Sequence, residues 1–136
     1  MLVGQPKIAP VRLFIVRHAE AASGEPDALR PLTTTGREQA RALAERLPAA
    51  DAVLTSPLLR ARQTAALIAR SAGIEAEVEE RLGPGATAEH VRASLEGREG
   101  TIVVVGHQPD CSRIAAELVG GPEPAFPPAG SYEVEL

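Results

Sequence analysis

Apolar and polar positions divide this chain into alternating short and long blocks. Val11–Val16 is a compact apolar run containing Phe14 and β-branched residues, which predicts a strand buried on both faces. Ala52–Thr55 and Thr101–Val105 are two more such runs. Ile74–Val78 reads as a short strand and Ser131–Leu136 as an edge strand. Between them the period changes to that of a helix. Ala40, Leu43, Ala44 and Leu47 share one face of a helix over Gly36–Leu47, with Thr35 and Glu38 as its capping box and Pro48 as its stop. A second helix opens at Ser56-Pro57, Ser as N-cap and Pro in the first turn, and runs to Ala72 before Gly73. A short helix over Ala88–Leu95 follows the cap Thr87, and Gly97 closes it. A fourth helix, capped by Asp110, reaches Val119. Alternating strands and helices predict an α/β fold: a mostly parallel central sheet with helices on both faces.

The remaining stretches are connections. Residues 1–10 form an irregular lead-in, and Gly120–Gly130 is a loop rich in Pro and Gly. Residues 17–33 are a long loop carrying Gly24, Pro26 and Pro31; inside a compact domain a loop of that length is usually functional. No internal repeat is present, and 136 residues suit one domain spanning 1–136.

Composition narrows the function. Hydrophobic residues make up 44% of the chain, enough for a packed core, but aromatics only 2%, so Ala, Leu, Val and Ile must build it. Base-stacking platforms are therefore not expected, and a net charge of −4 disfavours nucleic acid or an anionic membrane as partner. A single cysteine, Cys111, excludes an internal disulfide and a cysteine-based zinc cluster. With no apolar stretch long enough to span a bilayer and no apolar leader core in residues 1–10, the expected compartment is the cytoplasm.

Chemistry gathers at the ends of the predicted strands. The first ends at Arg17-His18, the second at Ser56 with Arg60 in the following helix turn, and the 101–105 strand at Gly106-His107. Parallel strands point their carboxyl ends the same way, so these groups can meet in one crevice. Arginines, histidines and a helix N-terminus together seek an anion, and a phosphoryl group is the natural guest. Arg62 lies two residues beyond Arg60 and points nearly opposite, to solvent. Gln63 and Thr64 share the Arg60 side, with packing as their expected role. Arg30 reads as a loop residue within reach of the pocket rim, and His90 as surface. Cys111 is not the nucleophile of a cysteine phosphatase: the spacing Cys-x5-Arg requires arginine where Glu117 stands. It reads as a small buried hydrophobe. His18-Ala19-Glu20 lacks the Pro-Cys-x-x-Cys partner of zinc deaminases, and no Walker A loop is present.

Four segments in order extend this reading. Arg17-His18-Ala19, Arg30-Pro31-Leu32-Thr33 with Gly36, Ser56 through Thr64, and Gly106-His107-Gln108-Pro109 resemble the histidine phosphatase superfamily, the phosphoglycerate mutase-like fold. The short chain and the Leu82-Gly83-Pro84 turn look most like its small branch, the SixA-type phosphohistidine phosphatases. The resemblance spans about residues 11–136. It implies a three-layer α/β/α sandwich, with no cap subdomain because only about ten residues join the strand near Val78 to the helix near Ala88. It implies His18 as nucleophile, with Arg17, Arg60 and His107 clamping the phosphoryl oxygens, and neither metal nor other cofactor. Nearby cations should lower the His18 pKa and keep it neutral. Ala19 stands where the family usually has Gly. Glu20, Glu79 and Glu80 are the carboxylates nearest a general-acid position, and none is assigned that role. The expected activity is hydrolysis of phosphohistidine in proteins. A phosphatase for a small phosphorylated metabolite or nucleotide, and a phosphate- or phosphoprotein-binding module with little turnover, are the alternatives. Oligomeric state is not legible in the chain.

Overall fold

The computed structural model describes residues 10–136; all but the last residue of the irregular lead-in lies outside the described residues. Five strands form one sheet: β1 (Val11–Arg17), β2 (Ala52–Thr55), β3 (Ala76–Val78), β4 (Gly100–Gly106) and β5 (Ser131–Glu135). Their order is β3-β2-β4-β1-β5, with β5 alone antiparallel. Four helices, α1 (Thr34–Arg46), α2 (Leu59–Ser71), α3 (Ala88–Ser94) and α4 (Asp110–Val119), complete the three layers.

The central strands are apolar throughout because both of their faces are covered. Phe14 and Val16 of β1, Val53 of β2 and Val103 and Val105 of β4 pack under α1 and α2, which supply Ala40, Leu43, Ala61, Ala65 and Ile68. Leu13, Ile15, Leu54, Ile102 and Val104 point the other way, against Val91 of α3 and Cys111, Ile114 and Ala115 of α4. Alanine dominates α1 and α2 where they meet the sheet, which lets the helices lie close without aromatic bulk. Each fully buried Val, Ile or Leu contributes about 1.5–3 kcal/mol relative to exposure.

Several helix starts differ from expectation. Thr33, not Thr35, caps α1, its hydroxyl accepting from the Gly36 N–H at 2.9 Å. The helix begins two residues early because the preceding chain folds back tightly. Helix α2 starts at Leu59 with Leu58 as cap, because Ser56 Oγ is bonded to His107 Nε2 and, within this turn, accepts from the Leu58 N–H. Asp110 is the first residue of α4 and not its cap; its carboxylate accepts from the Gly85 N–H at 2.8 Å. Thr87 caps α3 as expected, and His90 returns the bond in a capping box.

Only nine residues, 79–87, separate β3 from α3, and they hold a single 3-10 turn, Glu80–Leu82. The 17–33 loop is more ordered than its composition suggests. Its two limbs pair through Ala21 and Leu32, the Ala22 N–H donates to Pro31 O at 2.8 Å, and Asp27–Leu29 makes a 3-10 turn at its tip.

Candidate active site

Strands β2, β4 and β1 are neighbours and parallel, so their carboxyl ends open on one crevice. A cleft of about 330 Å³ lies there, lined by Arg17, His18, Arg60 and His107 together with Asp27 and Arg30. Pro84 and Gln108 close its far wall. The residues expected from strand ends far apart in sequence therefore converge. A larger groove, about 620 Å³, runs between α2 and β3 past Arg62 and Arg70 and holds none of the four. The smaller cleft, where the four meet, is the candidate site.

His18 is held through its ring and its backbone. Its Nδ1 lies 2.7 Å from the Ala19 carbonyl oxygen, which can only accept, so Nδ1 carries the proton. In the neutral ring Nε2 is then a free lone pair. The imidazole pKa falls below its ordinary value, first through burial and then through the charges of Arg60, Arg17 and Arg30; the Ala19 hydrogen bond opposes the fall. Burial thus outweighs the cations that the sequence suggested as cause. The His18 backbone is fixed on two sides, its N–H donating to Gly106 O and its carbonyl accepting from the Ala129 N–H.

His107 stands 5.2 Å from His18 between ring centres, tilted by 59°. Its Nε2 pairs with Ser56 Oγ at 2.7 Å, while Nδ1 is buried without a partner. Burial, then the neighbouring His18 and Arg60, push its pKa down to about 4, so this ring too is neutral near pH 7. Arg17 donates from Nη1 to the Phe126 carbonyl at 3.0 Å and leaves Nε buried and unpaired. Two donor-bearing side chains with unmet hydrogen-bonding capacity in one cleft suit an oxygen-rich guest.

Arg60 is 7% exposed in the first turn of α2, an unusual depth for a guanidinium. It donates from Nη1 to the Asp27 carbonyl at 2.9 Å and from Nη2 to the Asp27 carboxylate at 3.2 Å. The other oxygen of that carboxylate accepts from Arg30 Nη1 at 2.9 Å. Asp27 thereby joins two arginines, and those bonds, Arg30 before Arg60, hold its pKa below the usual carboxylate range. Sequence reasoning did not single out Asp27. The available signal was an acid three residues before Arg30, inside the long loop that follows the Arg-His pair.

Gln63 and Thr64 do more than pack. Thr64 is fully buried, accepts from the Ala19 N–H at 3.0 Å and donates to the Arg60 carbonyl at 2.9 Å. It couples the residue after His18 to the turn that carries Arg60. Gln63 accepts from the Leu32 N–H at 2.8 Å and so holds the returning limb of the loop. Arg62 is exposed, as its helical phase requires.

The three acidic residues from the sequence are elsewhere. Glu20 and Glu80 are exposed and outside the cleft. Glu79 is bound by Arg81 through backbone and guanidinium, which lowers its pKa to about 2 and keeps it ionised. Cys111 is buried against Val16, and burial pushes its thiol up to about 12, far from a thiolate nucleophile.

Residues 13–83 match the family model of the histidine phosphatase superfamily, branch 1. The chain belongs to the histidine phosphatase superfamily. Among its relatives is the phosphohistidine phosphatase SixA of Escherichia coli, 32% identical over 84% of this chain and 78% of that protein. An uncharacterised protein of Picosynechococcus is 37% identical over 82% of this chain and 74% of its own length. The solved structure of the protein histidine phosphatase SixA complexed with tungstate superposes with a TM-score of 0.80 at 32% identity, covering 90% of this chain and 86% of that one. This histidine phosphatase has the SixA-like, phosphoglycerate mutase-like architecture expected from its motifs. Among the described residues no helix is long and apolar enough to cross a membrane, and no group of three or more His, Cys, Asp or Glu is placed to hold a metal ion.

Proposed function

We propose that this protein is a metal-independent phosphatase that works through a phosphohistidine intermediate on His18, with phosphohistidine in proteins as its substrate class. One observation carries the reading: the Nδ1–H bond from His18 to the Ala19 carbonyl leaves Nε2 as a lone pair in a cleft lined by Arg17, Arg60 and His107. In the first step Nε2 forms a bond to phosphorus while the bond to the leaving nitrogen breaks. Its electron pair departs with that nitrogen, which takes a proton from solvent. In the second step water attacks phosphorus and gives up a proton to solvent, the P–Nε2 bond breaks and its pair returns to the ring. Arg17 and Arg60 neutralise the phosphoryl oxygens, the dominant requirement of phosphoryl transfer, and the neutral His107 ring adds a hydrogen-bonding group beside them.

The substrate class follows from the leaving group and from access. An alkoxide leaves poorly without an acid. Asp27, the carboxylate that lines the cleft, is ionised between two arginines, and Glu79 is ionised outside it. A phosphoramidate needs less help because its nitrogen accepts a proton from solvent. Residues 79–87 are too few for a lid, which favours access by a protein side chain past the 17–33 loop. Homology to SixA supports the same substrate class.

Rapid quench with labelled phosphohistidine protein or phosphoramidate should trap label that is acid-labile and base-stable, absent in His18→Ala and formed equally with EDTA present. Substrate class is tested by comparing kcat/KM for phosphohistidine peptide, phosphoramidate, sugar phosphates and nucleotides. An alkyl phosphate cleaved faster than every phosphoramidate would transfer the assignment to a small metabolite. Binding without any trapped label would leave a phosphate-binding module.

A further inference from the structure

The charge of the cleft is not simply cationic. Arg17, Arg30 and Arg60 line it, and Asp27 lines it with them. Both rings, His18 and His107, are neutral near pH 7. Three guanidiniums against one carboxylate leave two net positive charges, the magnitude carried by one phosphoryl dianion.

Asp27 is also placed at the mouth. Its side chain is 63% exposed while that of Arg60, which it grips, is 9% exposed. Arg60 therefore forms the floor of the anion site and the carboxylate its rim. Guanidinium Nη1 and Nη2 of Arg60 each keep a further N–H after bonding to Asp27, and Nε keeps its own, so a phosphoryl group on the floor does not require Asp27 to leave. A second anionic group on the same guest would extend toward the rim and meet the carboxylate.

We propose that Asp27 is a specificity-determining residue: it matches the cleft to a single phosphoryl dianion and disfavours guests that carry another anionic group beside the phosphorus. The proposal rests on the phosphoryl-binding reading of the cleft and deepens it. Favoured carriers are neutral or cationic next to phosphorus, as a histidine side chain is. Disfavoured ones are nucleoside diphosphates, bisphosphates and phosphorylated carboxylates. Unit charges a few Å apart at a protein rim change affinity by about tenfold, and salt weakens the effect.

The test is calorimetric binding of inorganic phosphate and of pyrophosphate to the wild type, Asp27→Asn and Asp27→Glu. Asparagine removes the charge but keeps the size and one acceptor oxygen for Arg60, and the Asp27 carbonyl continues to hold Nη1. In the wild type, phosphate should bind more tightly than pyrophosphate. Asp27→Asn should improve pyrophosphate relative to phosphate by about tenfold, less in 0.5 M salt by the Debye argument, and Asp27→Glu should restore the wild-type ratio. O-phosphoserine against O-phosphoethanolamine, which differ by one carboxylate, should show the same shift as competitors. An unchanged ratio overturns the proposal, whether both affinities stay, rise or fall together; a joint fall assigns Asp27 to positioning Arg60 alone. A wild type that binds neither anion overturns the phosphoryl-binding reading and the proposal together. Because binding is read without turnover, a failed phosphoramidate preference leaves this result standing and is distinguishable from it.

Discussion

At the scale of single residues the site depends on who holds the histidines. His18 is oriented by a carbonyl, that carbonyl's residue by Thr64, and Thr64 is bonded in turn to the Arg60 carbonyl. Thr64→Val keeps the shape and deletes the hydroxyl. It leaves the buried Ala19 N–H unmet, which costs about 1–3 kcal/mol of stability. It should also lower kcat about tenfold by loosening His18, and Thr64→Ser should recover most of that loss. Measuring Tm and kcat on both variants checks this; equal kcat in Thr64→Val and wild type would deny Thr64 a positioning role. The lowered His18 pKa predicts the acid limb of kcat/KM. With neutral imidazole as the proposed nucleophile, activity should fall as pH drops through a value below 6.5. Arg60 contributes to that lowering, so in Arg60→Ala the limb should move upward in pH, on top of a large loss in rate.

Between elements, the loop after β1 is pinned to the start of α1. Thr33 N–H donates to the Glu20 carbonyl, and the Glu20 N–H donates to Gln39 Oε1 at 2.9 Å. Gly36 sits beneath this crossing, and a Cβ there would collide with the Glu20 carbonyl oxygen. That oxygen belongs to backbone already tied down, so it cannot simply move aside. Gly36→Ala should therefore destabilise the protein by about 2 kcal/mol, a fall in Tm of about 4–8 °C for a chain of this size. The Asp27–Arg60 contact lies at the tip of the same loop, so activity should drop in the surviving folded fraction. A Tm within 1 °C of wild type would show that the loop relaxes more easily than the packing implies.

For the whole molecule, burying two histidines beside arginines makes stability depend on pH. The His107 pKa is about 4 in the folded chain against 6.5 as its ordinary value. Below pH 6.5 the unfolded chain binds a proton that the folded chain refuses. Stability is thus fully retained above about 6.5 and declines as pH falls from there toward 4; His18 adds to the decline in the same direction. The His107 part amounts to about 2 kcal/mol after allowance for solvent screening. Urea unfolding at pH 7.5 and at pH 4.5 measures it, and His107→Gln should show a shallower dependence. Parallel curves for the two proteins would count against a depressed His107.

The order of strands and helices was legible in the sequence because each strand is an uninterrupted apolar block. Val11–Val16 and Thr101–Val105 can be so only if both faces are covered. The meeting of Arg17, His18, Arg60 and His107 in one cleft was legible too, since parallel strands carry whatever follows them to the same edge. What the sequence could not decide were contacts between segments distant along the chain. The caps at Thr35, Ser56 and Asp110 fit local rules, yet Ser56 is claimed by His107 and Asp110 by Gly85. Thr64 and Gln63 look like packing until Ala19 and Leu32 are brought beside them. Asp27 is an ordinary loop acid until the loop folds over α2 and meets Arg60. Local pattern determines which elements form and which faces they bury. Tertiary structure alone determines which polar atoms meet, because a hydrogen bond needs its partner within about 3 Å and the sequence carries no such distance.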